Sequence, residues 1–461
     1  MFEFSTDNRA RDVLVTGAGL VTPLGCCSDD TWDALISNRR AGRYLTPADI
    51  DHYPELSALQ GLALHGAVVD HREVDRRLQE SQLLKAVPGE IADVWRSEPL
   101  VAMSLVAFGE AMSHAGFSLE SLRSERTAVV FGGSKGGLRS IERMTESPRD
   151  RRERRSQWDA GLGSCVAEAA ALSPRDGYGN MQDFWTHSVQ TDSATRAITE
   201  LSRARIASSC PVAACATGLI AVLQGASLIH RGQCDVCIVG SADAGLRSSV
   251  LASFHRLRVT SRHSNPASAC RPFDLSRDGF IVGEGAGVLI LESRVHAETR
   301  RAEAIASVVA GGWLNDPTGM TQIDEDGIVV SEVLSRSQNS SMPYPDILNV
   351  HGTGTESNDL AEARGIVKAF EAAPQMPRCF GLKGALGHLL GAAGSVETVL
   401  TLRALNRRQI PGTANLQMID HRCSIPLEAN PRELPGIQSA AKLSLGFGGH
   451  VACGVFEHPS R

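Results

Sequence analysis

Residues 208–232, SSCPVAACATGLIAVLQGASLIHRG, constrain this chain more than any other stretch. Small and apolar residues lead to Cys215, and the pattern then predicts an apolar helix. Leu219, Val222 and Leu223 lie near one stripe, continued by Ala226, Leu228 and Ile229. Ala213, Ala214, Ala216, Gly218, Ala221, Gly225 and Ala226 crowd the same segment, so the helix can approach its neighbours closely, as a buried central helix must. Cys215 falls where this helix begins. Unpaired N–H groups and the positive end of the helix dipole favour a thiolate there, and a nucleophile so placed is activated by backbone as well as by side chains. The bland alternative is a buried, inert thiol, the usual state of a free cysteine.

Apolar content of 42% supplies a large folded core across the 461 residues, which bounds the chain to one large α/β unit or two to three domains. The 44 glycines cluster in tight motifs, which indicates close backbone packing and not a flexible linker. A net charge of −6 argues against global attraction to nucleic acid or an anionic membrane, and leaves room for a local basic patch. The eleven cysteines are odd in number and follow no framework spacing, as expected of reduced thiols in a cytoplasmic protein. Cys234 and Cys237 form a CxxC inside QCDVCIVG, which reads as a strand; alternation puts them on opposite faces, unsuited to a redox pair or a zinc clamp. The opening MFEFSTDNRARD has no apolar signal core, and no apolar run reaches membrane-spanning length.

Taken in order, Val13–Thr16 is an expected strand entering a glycine turn, with a helix from about Asp29. The third glycine of a dinucleotide fingerprint is missing, because Thr22 stands in its place and Pro23 follows. Residues 40–98 read as loop-rich, Pro99–Ala115 as a buried helix, and Thr127–Phe131 as a strand before GGSKGG. Residues 146–186 carry RDRRERR and no period, the pattern of a solvated surface insertion. A helix is expected at Asp192–Arg203, strands at Val236–Gly240 and Gly287–Glu292, and a polar, arginine-bearing loop from Phe254 to Arg271. Ala302–Gly311 contains a strand, Ile328–Ser335 a helix, and Asp346–Val350 and Cys379–Lys383 two more strands. His351 follows the first of these two and His388 the second, each in a glycine-rich setting. Both halves thus repeat a strand, a glycine turn and a buried small-residue helix. Alternating apolar strands and helices indicate an α/β core with covered sheets and a duplicated architecture.

Cys215, His351 and His388 form a nucleophilic set, since histidine stabilises a thiolate or a developing oxyanion near neutral pH. The competing cysteine-protease reading lacks its local signature and has no place for Lys383, five residues before His388. AACATG around Cys215, RPFDLSRDGFIVGEGAGVLILE from Arg271, HGTGT from His351, KGALGHLLGAAGSVE from Lys383 and GFGG from Gly446 carry a more specific likeness. With VTGAGLVTPLG near the start and GFGGHVACGVFE near the end, the chain resembles the β-ketoacyl-acyl-carrier-protein synthases, the elongating type II ketosynthases of the thiolase superfamily, over nearly its whole length.

That resemblance implies a thiolase fold, two similar halves in a five-layered α-β-α-β-α sandwich, with the nucleophile in residues 1–298 and both histidines in residues 299–461. It implies decarboxylating condensation of a Cys215-bound acyl group with a malonyl group on acyl carrier protein, in fatty-acid or polyketide biosynthesis, with no cofactor and no metal. The N–H groups of Cys215 and Phe447 would form the oxyanion hole, and Phe447 would gate the acyl pocket. His351 and His388 would stabilise the enolate. Lys383 would position His388 with Glu397 as its partner, while Asp359, Glu362, Thr353 and Thr355 would support the His351 loop and its surroundings. The implied partners are the phosphopantetheine-bearing carrier and a second copy of the chain, with a related subunit as the alternative. Arg256, Arg258 and Arg262 are the candidate carrier-docking face, and RDRRERR at 149–155 the other. A non-condensing acyltransferase or thioesterase, and a non-catalytic chain-length-factor-like subunit, are the rival readings; the latter characteristically lacks the cysteine. The sequence departs from the family pattern at His450-Val451 (usually Thr-Asn), Asn358 (usually glycine) and Ala213 (often threonine), departures that bear on the acyl substrate and the pathway.

Overall fold

The computed structural model describes residues 2–3, 11–46, 49, 64–123, 125–145, 184–338 and 344–459. Ten strands of one mixed sheet carry the architecture: β1 (Val13–Val21), β2 (Thr127–Gly133), β3 (Ala207–Ser209), β4 (Val236–Asp243), β5 (Gly285–Ser293), β6 (Ala306–Asn315), β7 (Ile347–Asn349), β8 (Arg378–Phe380), β9 (Ser439–Gly446) and β10 (His450–Glu457). Their spatial order is β8-β7-β9-β10-β6-β1-β5-β4-β2-β3, and Phe2–Glu3 adds a short edge against β6. From the centre outward, each half runs first, fifth, fourth, second and third strand of its own set. In both, the first, fifth and fourth pair antiparallel and the last two join in parallel. The halves meet where β1 and β6 pair antiparallel, Val15 opposite Ala306.

Alternation along the strands decides the layers. Val129 and Phe131 of β2 face one apolar cluster, while Ala128 and Val130 face another. In the second half, Ala441 and Leu443 of β9 face away from Ala440 in the same manner. Helices α1 (Pro99–Ala115) and α2 (Ser193–Ser202) cover the outer face of the first half. The outer face of the second is covered by helices α5 (Ile328–Arg336) and α6 (Glu356–Ala369). Between the halves lie α3 (Thr217–His230) and α7 (Ala393–Arg407), whose apolar residues share one cluster with strands of both. The result is the five-layered thiolase-type sandwich.

Small residues are what permit that middle layer. A Cβ on Gly218 would lie 2.3 Å from Ser395 N, and one on Gly394 would lie 2.5 Å from Leu219 N, so α3 and α7 touch backbone to backbone. Ser241 and Ser395 hydroxyls hydrogen-bond at 2.7 Å across the same contact. Each central helix is entered through a one-turn segment, Ala214–Ala216 or Leu390–Ala392. Each segment opens on a non-glycine residue in the left-handed region, Ala214 (φ 47°) and Leu390 (φ 50°). Backbone of that kind costs about 1–3 kcal/mol per residue and persists only where surroundings over-determine it.

Several elements differ from the sequence expectation. β1 does not turn at Gly17: it continues to Val21, because Gly17 and Gly19 let α1 close on the strand. A Cβ on either would stand 2.2 Å from a carbonyl oxygen of α1, Ala111 O and Ala107 O. Residues 40–98 contain helices His71–Glu80 and Gly89–Ser97, the first strongly charged and with only Val74 and Leu78 buried, so its apolar period is thin. The loop expected from Phe254 begins later, since Phe254 and Arg256 end helix α4 (Ser248–Arg256). Lys383 starts a helical turn, Lys383–Leu386, and does not end a strand. Cys234 and Cys237 are both buried in the central cluster and adjacent, with Cys234 among the causes that push the Cys237 thiol up. Alternation fails there because β4 begins only at Val236. Most of the expected insertion at 146–186, with RDRRERR, lies outside the described residues; Trp185–Val189 forms a π turn.

Candidate active site

Cys215, His351, His388, Phe447, Thr353 and Thr355 line one cavity. Cys215 is enclosed by protein yet partly open to that cavity. Burial pushes its thiol up to about 11, opposed chiefly by the nearby cations Lys135 and Lys383. Desolvation thus outweighs the two cations and leaves the thiol harder to ionise than a free cysteine.

The strand β7 delivers His351, and charged side chains hold its backbone. Its N–H donates to Glu362 Oε1 at 2.5 Å, and the Gly352 N–H donates to Glu362 Oε2 at 2.8 Å. Lys383 Nζ donates to His351 O at 2.5 Å and lies 3.4 Å from its Nδ1. Asp359 accepts from the Gly354 N–H at 3.1 Å and from Phe273 N–H at 2.7 Å, which ties the loop to the stretch beginning at Arg271. Thr353 and Thr355 hydroxyls bond to each other at 2.8 Å.

That same stretch positions His388. The His388 N–H donates to Ile281 O at 2.8 Å, its carbonyl accepts from the Gly283 N–H at 2.9 Å, and the Phe280 ring stands edge-on at 4.9 Å. Leu390 N–H donates to His388 Nδ1 at 3.3 Å. A ring nitrogen that accepts a hydrogen bond leaves the proton of a neutral imidazole on the other nitrogen, so His388 carries it on Nε2; Lys383, a donor facing His351 Nδ1, selects the same tautomer there. The two rings are 5.6 Å apart and nearly perpendicular. Burial depresses both imidazoles well below 6.5, with Lys383 and Lys442 acting in the same direction on each. Both are uncharged donors at neutral pH.

Lys383 thus touches His351 and reaches His388 only through its charge, whereas the sequence reading attached it to His388. Its ion pair with Glu397 Oε1, 2.8 Å, is fully buried. Phe447 sits in the turn between β9 and β10, half-buried, its ring 6.5 Å from Phe254. A Cβ on Gly446 would stand 3.1 Å from Cys215 N and 2.6 Å from Ala213 O, so only glycine brings the Phe447 turn against the Cys215 backbone. Arg256, Arg258 and Arg262 are exposed on the stretch that contributes Phe254 and Val259 to the cavity.

Three charged groups escaped the sequence reading. Lys442 is completely buried on β9, with Nζ 2.7 Å from Glu397 Oε2. Lys135 Nζ lies 2.9 Å from Asp243 Oδ2, which also accepts from the Gly391 N–H at 3.0 Å. The signals were present: a lone lysine in the apolar run SAAKLSLG, and one between glycine pairs in GGSKGG, both sites where a charge must be paired. Asn358 and His450, two of the departures, also line the cavity.

Comparison with known proteins gives this arrangement its family. The model of the beta-ketoacyl synthase N-terminal domain matches residues 10–297, and that of the C-terminal domain matches residues 315–417. The chain belongs to the beta-ketoacyl synthase family. It is 30% identical to the mitochondrial 3-oxoacyl-[acyl-carrier-protein] synthase of Arabidopsis thaliana, over 97% of this chain and 93% of that one. The 3-oxoacyl-[acyl-carrier-protein] synthase 2 of Staphylococcus aureus is 27% identical over 96% and 98% of the two chains. Among solved structures, a beta-ketoacyl synthase from Burkholderia phymatum superposes with a TM-score of 0.74 at 24% identity, covering 97% of this chain and all of that one. The ishigamide ketosynthase/chain length factor gives 0.76 at 24%, covering 98% and 100%. A complex of a type II polyketide acyl-carrier protein with its ketosynthase gives 0.76 at 23%, with the same coverage. No described helix of this ketosynthase-family chain is long and apolar enough to cross a membrane.

Glu362 supplies a stability test. Burial raises its carboxyl to about 7, against the two N–H groups that it accepts. A carboxyl raised in the folded state contributes stability below its unfolded value of 4.5 and loses it as pH rises through about 7. Glu362→Gln should therefore gain on the wild type as pH rises across that window. Urea unfolding at a series of pH values checks this; a constant difference would contradict it.

Proposed function

We propose that Cys215 is the acylated nucleophile of a decarboxylating β-ketoacyl synthase, with His351 and His388 as paired donors to the malonyl enolate. The observation that carries this reading is the shared cavity: one thiol and two uncharged imidazoles of matched tautomer, with no charged histidine to trap the enolate as an ion pair. The thiol sulfur attacks the acyl-carrier thioester, the carbon–sulfur bond to the carrier breaks, and the thiol proton ends on the departing carrier. Carbon dioxide then leaves the malonyl group, and its bonding pair becomes the enolate held by the two Nε2–H groups. The enolate carbon attacks the acyl-cysteine. Charge on the acyl oxygen is met by the N–H groups of Cys215 and Phe447, and collapse returns the Cys215 thiolate, which takes up a proton. Phe447 gates the acyl side, Lys383, anchored by Glu397, fixes His351 directly, and Asp359, Glu362, Thr353 and Thr355 shape the loop. No organic cofactor or metal enters these steps.

The chain works as a homodimer in the cytoplasm on substrates borne by acyl carrier protein, and it divides near residues 298 and 299 into a nucleophile half and a histidine half. The presence of Cys215 in the cavity favours an active subunit over a chain-length-factor-like one. Cys215→Ala should lose the covalent acyl mass given by acyl-carrier thioesters. His351→Ala and His388→Ala should keep that mass but release carbon dioxide from malonyl carrier more slowly, each donor being worth about 3 kcal/mol. An acylated alanine variant, or wild-type release by both histidine variants, would overturn the assignment.

Carrier docking falls to Arg256, Arg258 and Arg262, a local positive face at the cavity mouth of a net negative chain. Reversing Arg256 and Arg258 to Glu should lower kcat/KM for carrier-bound substrates, with the loss shrinking as salt screens charges beyond a Debye length of ~8 Å. Carrier-free thioester mimics should be turned over normally. Equal losses for both substrate types would place docking elsewhere.

A further inference from the structure

Lys442 is a fully buried charge that the reaction as assigned does not use. Lys442 projects from β9 at Asn349, its register partner on β7, two residues before His351. Its Nζ donates to Val350 O at 3.1 Å and Leu443 O at 2.6 Å, and it lies 2.7 Å from Glu397 Oε2. Two consecutive carbonyls before the loop are therefore each taken by a lysine, Val350 O by Lys442 and His351 O by Lys383. Both lysines answer to opposite oxygens of the same carboxylate. A buried ammonium costs several kcal/mol of desolvation unless paired and fully hydrogen-bonded, so a second one behind a catalytic histidine is not a neutral filler.

We propose that Lys442 is a second positioning lysine for this reaction: it clamps the Val350 carbonyl and the second oxygen of Glu397 and so fixes His351 opposite His388. The groups that face it are Glu397 on α7, Glu362 on α6, Lys383 on the turn after β8, His351, His388 and Cys453 on β10. Burial pulls Lys442 itself down to about 8, with Glu397 resisting. Removing the cation lets both imidazoles protonate at higher pH. It also lets the Glu362 carboxyl, now held down by Lys442 and two N–H groups, rise further and loosen its hold on the His351 and Gly352 amides. The effects share one sign: activity is lost earlier as pH falls.

The inference rests on His351 and His388 acting as uncharged donors, and the test separates the two claims. Carbon dioxide release from malonyl carrier is followed against pH for the wild type, Lys442→Met and Lys442→Gln. Lys442→Met should lower kcat about ten-fold at neutral pH with KM little changed, and should move the acid limb to higher pH. Lys442→Gln keeps a donor for Val350 O without the charge. It should recover much of kcat on the alkaline side while its acid limb stays displaced, a split that loss of packing alone does not produce. Should Lys442→Met not fold, the acid limb of Lys442→Gln decides. An acid limb superimposable on the wild type in the folded variants overturns the role of Lys442 and leaves the histidine assignment standing. Failure of the wild type itself to release carbon dioxide overturns the function on which the inference rests.

Discussion

Glu397 lies almost fully buried in the middle layer with a lysine on each carboxylate oxygen, Lys383 at 2.8 Å and Lys442 at 2.7 Å. Few arrangements are less tolerant of change. Breaking a buried ion pair by removing one partner costs about 3–5 kcal/mol, since the other charge is left uncompensated. The three groups come from separate elements: α7, the turn after β8, and β9. Forming the pair therefore fixes the register of those elements around the β7 end, where His351 stands. The net positive field of two lysines against one glutamate then bears on the imidazoles, already disfavoured as cations by burial.

The close contact of α3 with α7 carries the second constraint. Gly218 and Gly394 let two helices from different halves meet at backbone distance; Cys215 and His388 enter the cavity just before those helices, and His351 from the end of β7. A duplicated unit whose own strand and helix ends each supply part of a site gains a complete one only when the two copies face each other. Chemistry at the seam thus follows from the packing of the middle layer.

How much of this was legible in the sequence depends on the range of the interaction. The long buried helix Pro99–Ala115 was read with its bounds unchanged, because proline opens it, glycine follows it, and both the period and the small residues are local. The duplicated α/β core with covered sheets was legible in recurring strand, glycine-turn and small-residue-helix units, whereas the thiolase-type layering came only through the family resemblance. Gly17 and Gly19 misled, because a glycine needed for close approach of α1 has the same letter as one needed for a turn. The partners of Cys234, Lys442 and Lys135 were not legible: the first depends on where β4 begins, the second on how α7 and β7 pack against β9, and the third on a contact across more than a hundred residues. Lys383 was singled out, but its hydrogen bond to His351 and not His388 is set by the helical turn that it starts.

The central claim is that two uncharged imidazoles, each with its proton on Nε2, confront the nucleophile. Nitrogen-15 NMR of histidine-labelled protein measures this directly, with His351→Ala and His388→Ala used to assign the ring signals. The account predicts that both residues keep the neutral Nε2–H pattern as pH is lowered from about 8 through the ordinary histidine range around 6.5. An imidazolium signal from either ring at neutral pH, or a proton found on Nδ1, would contradict it.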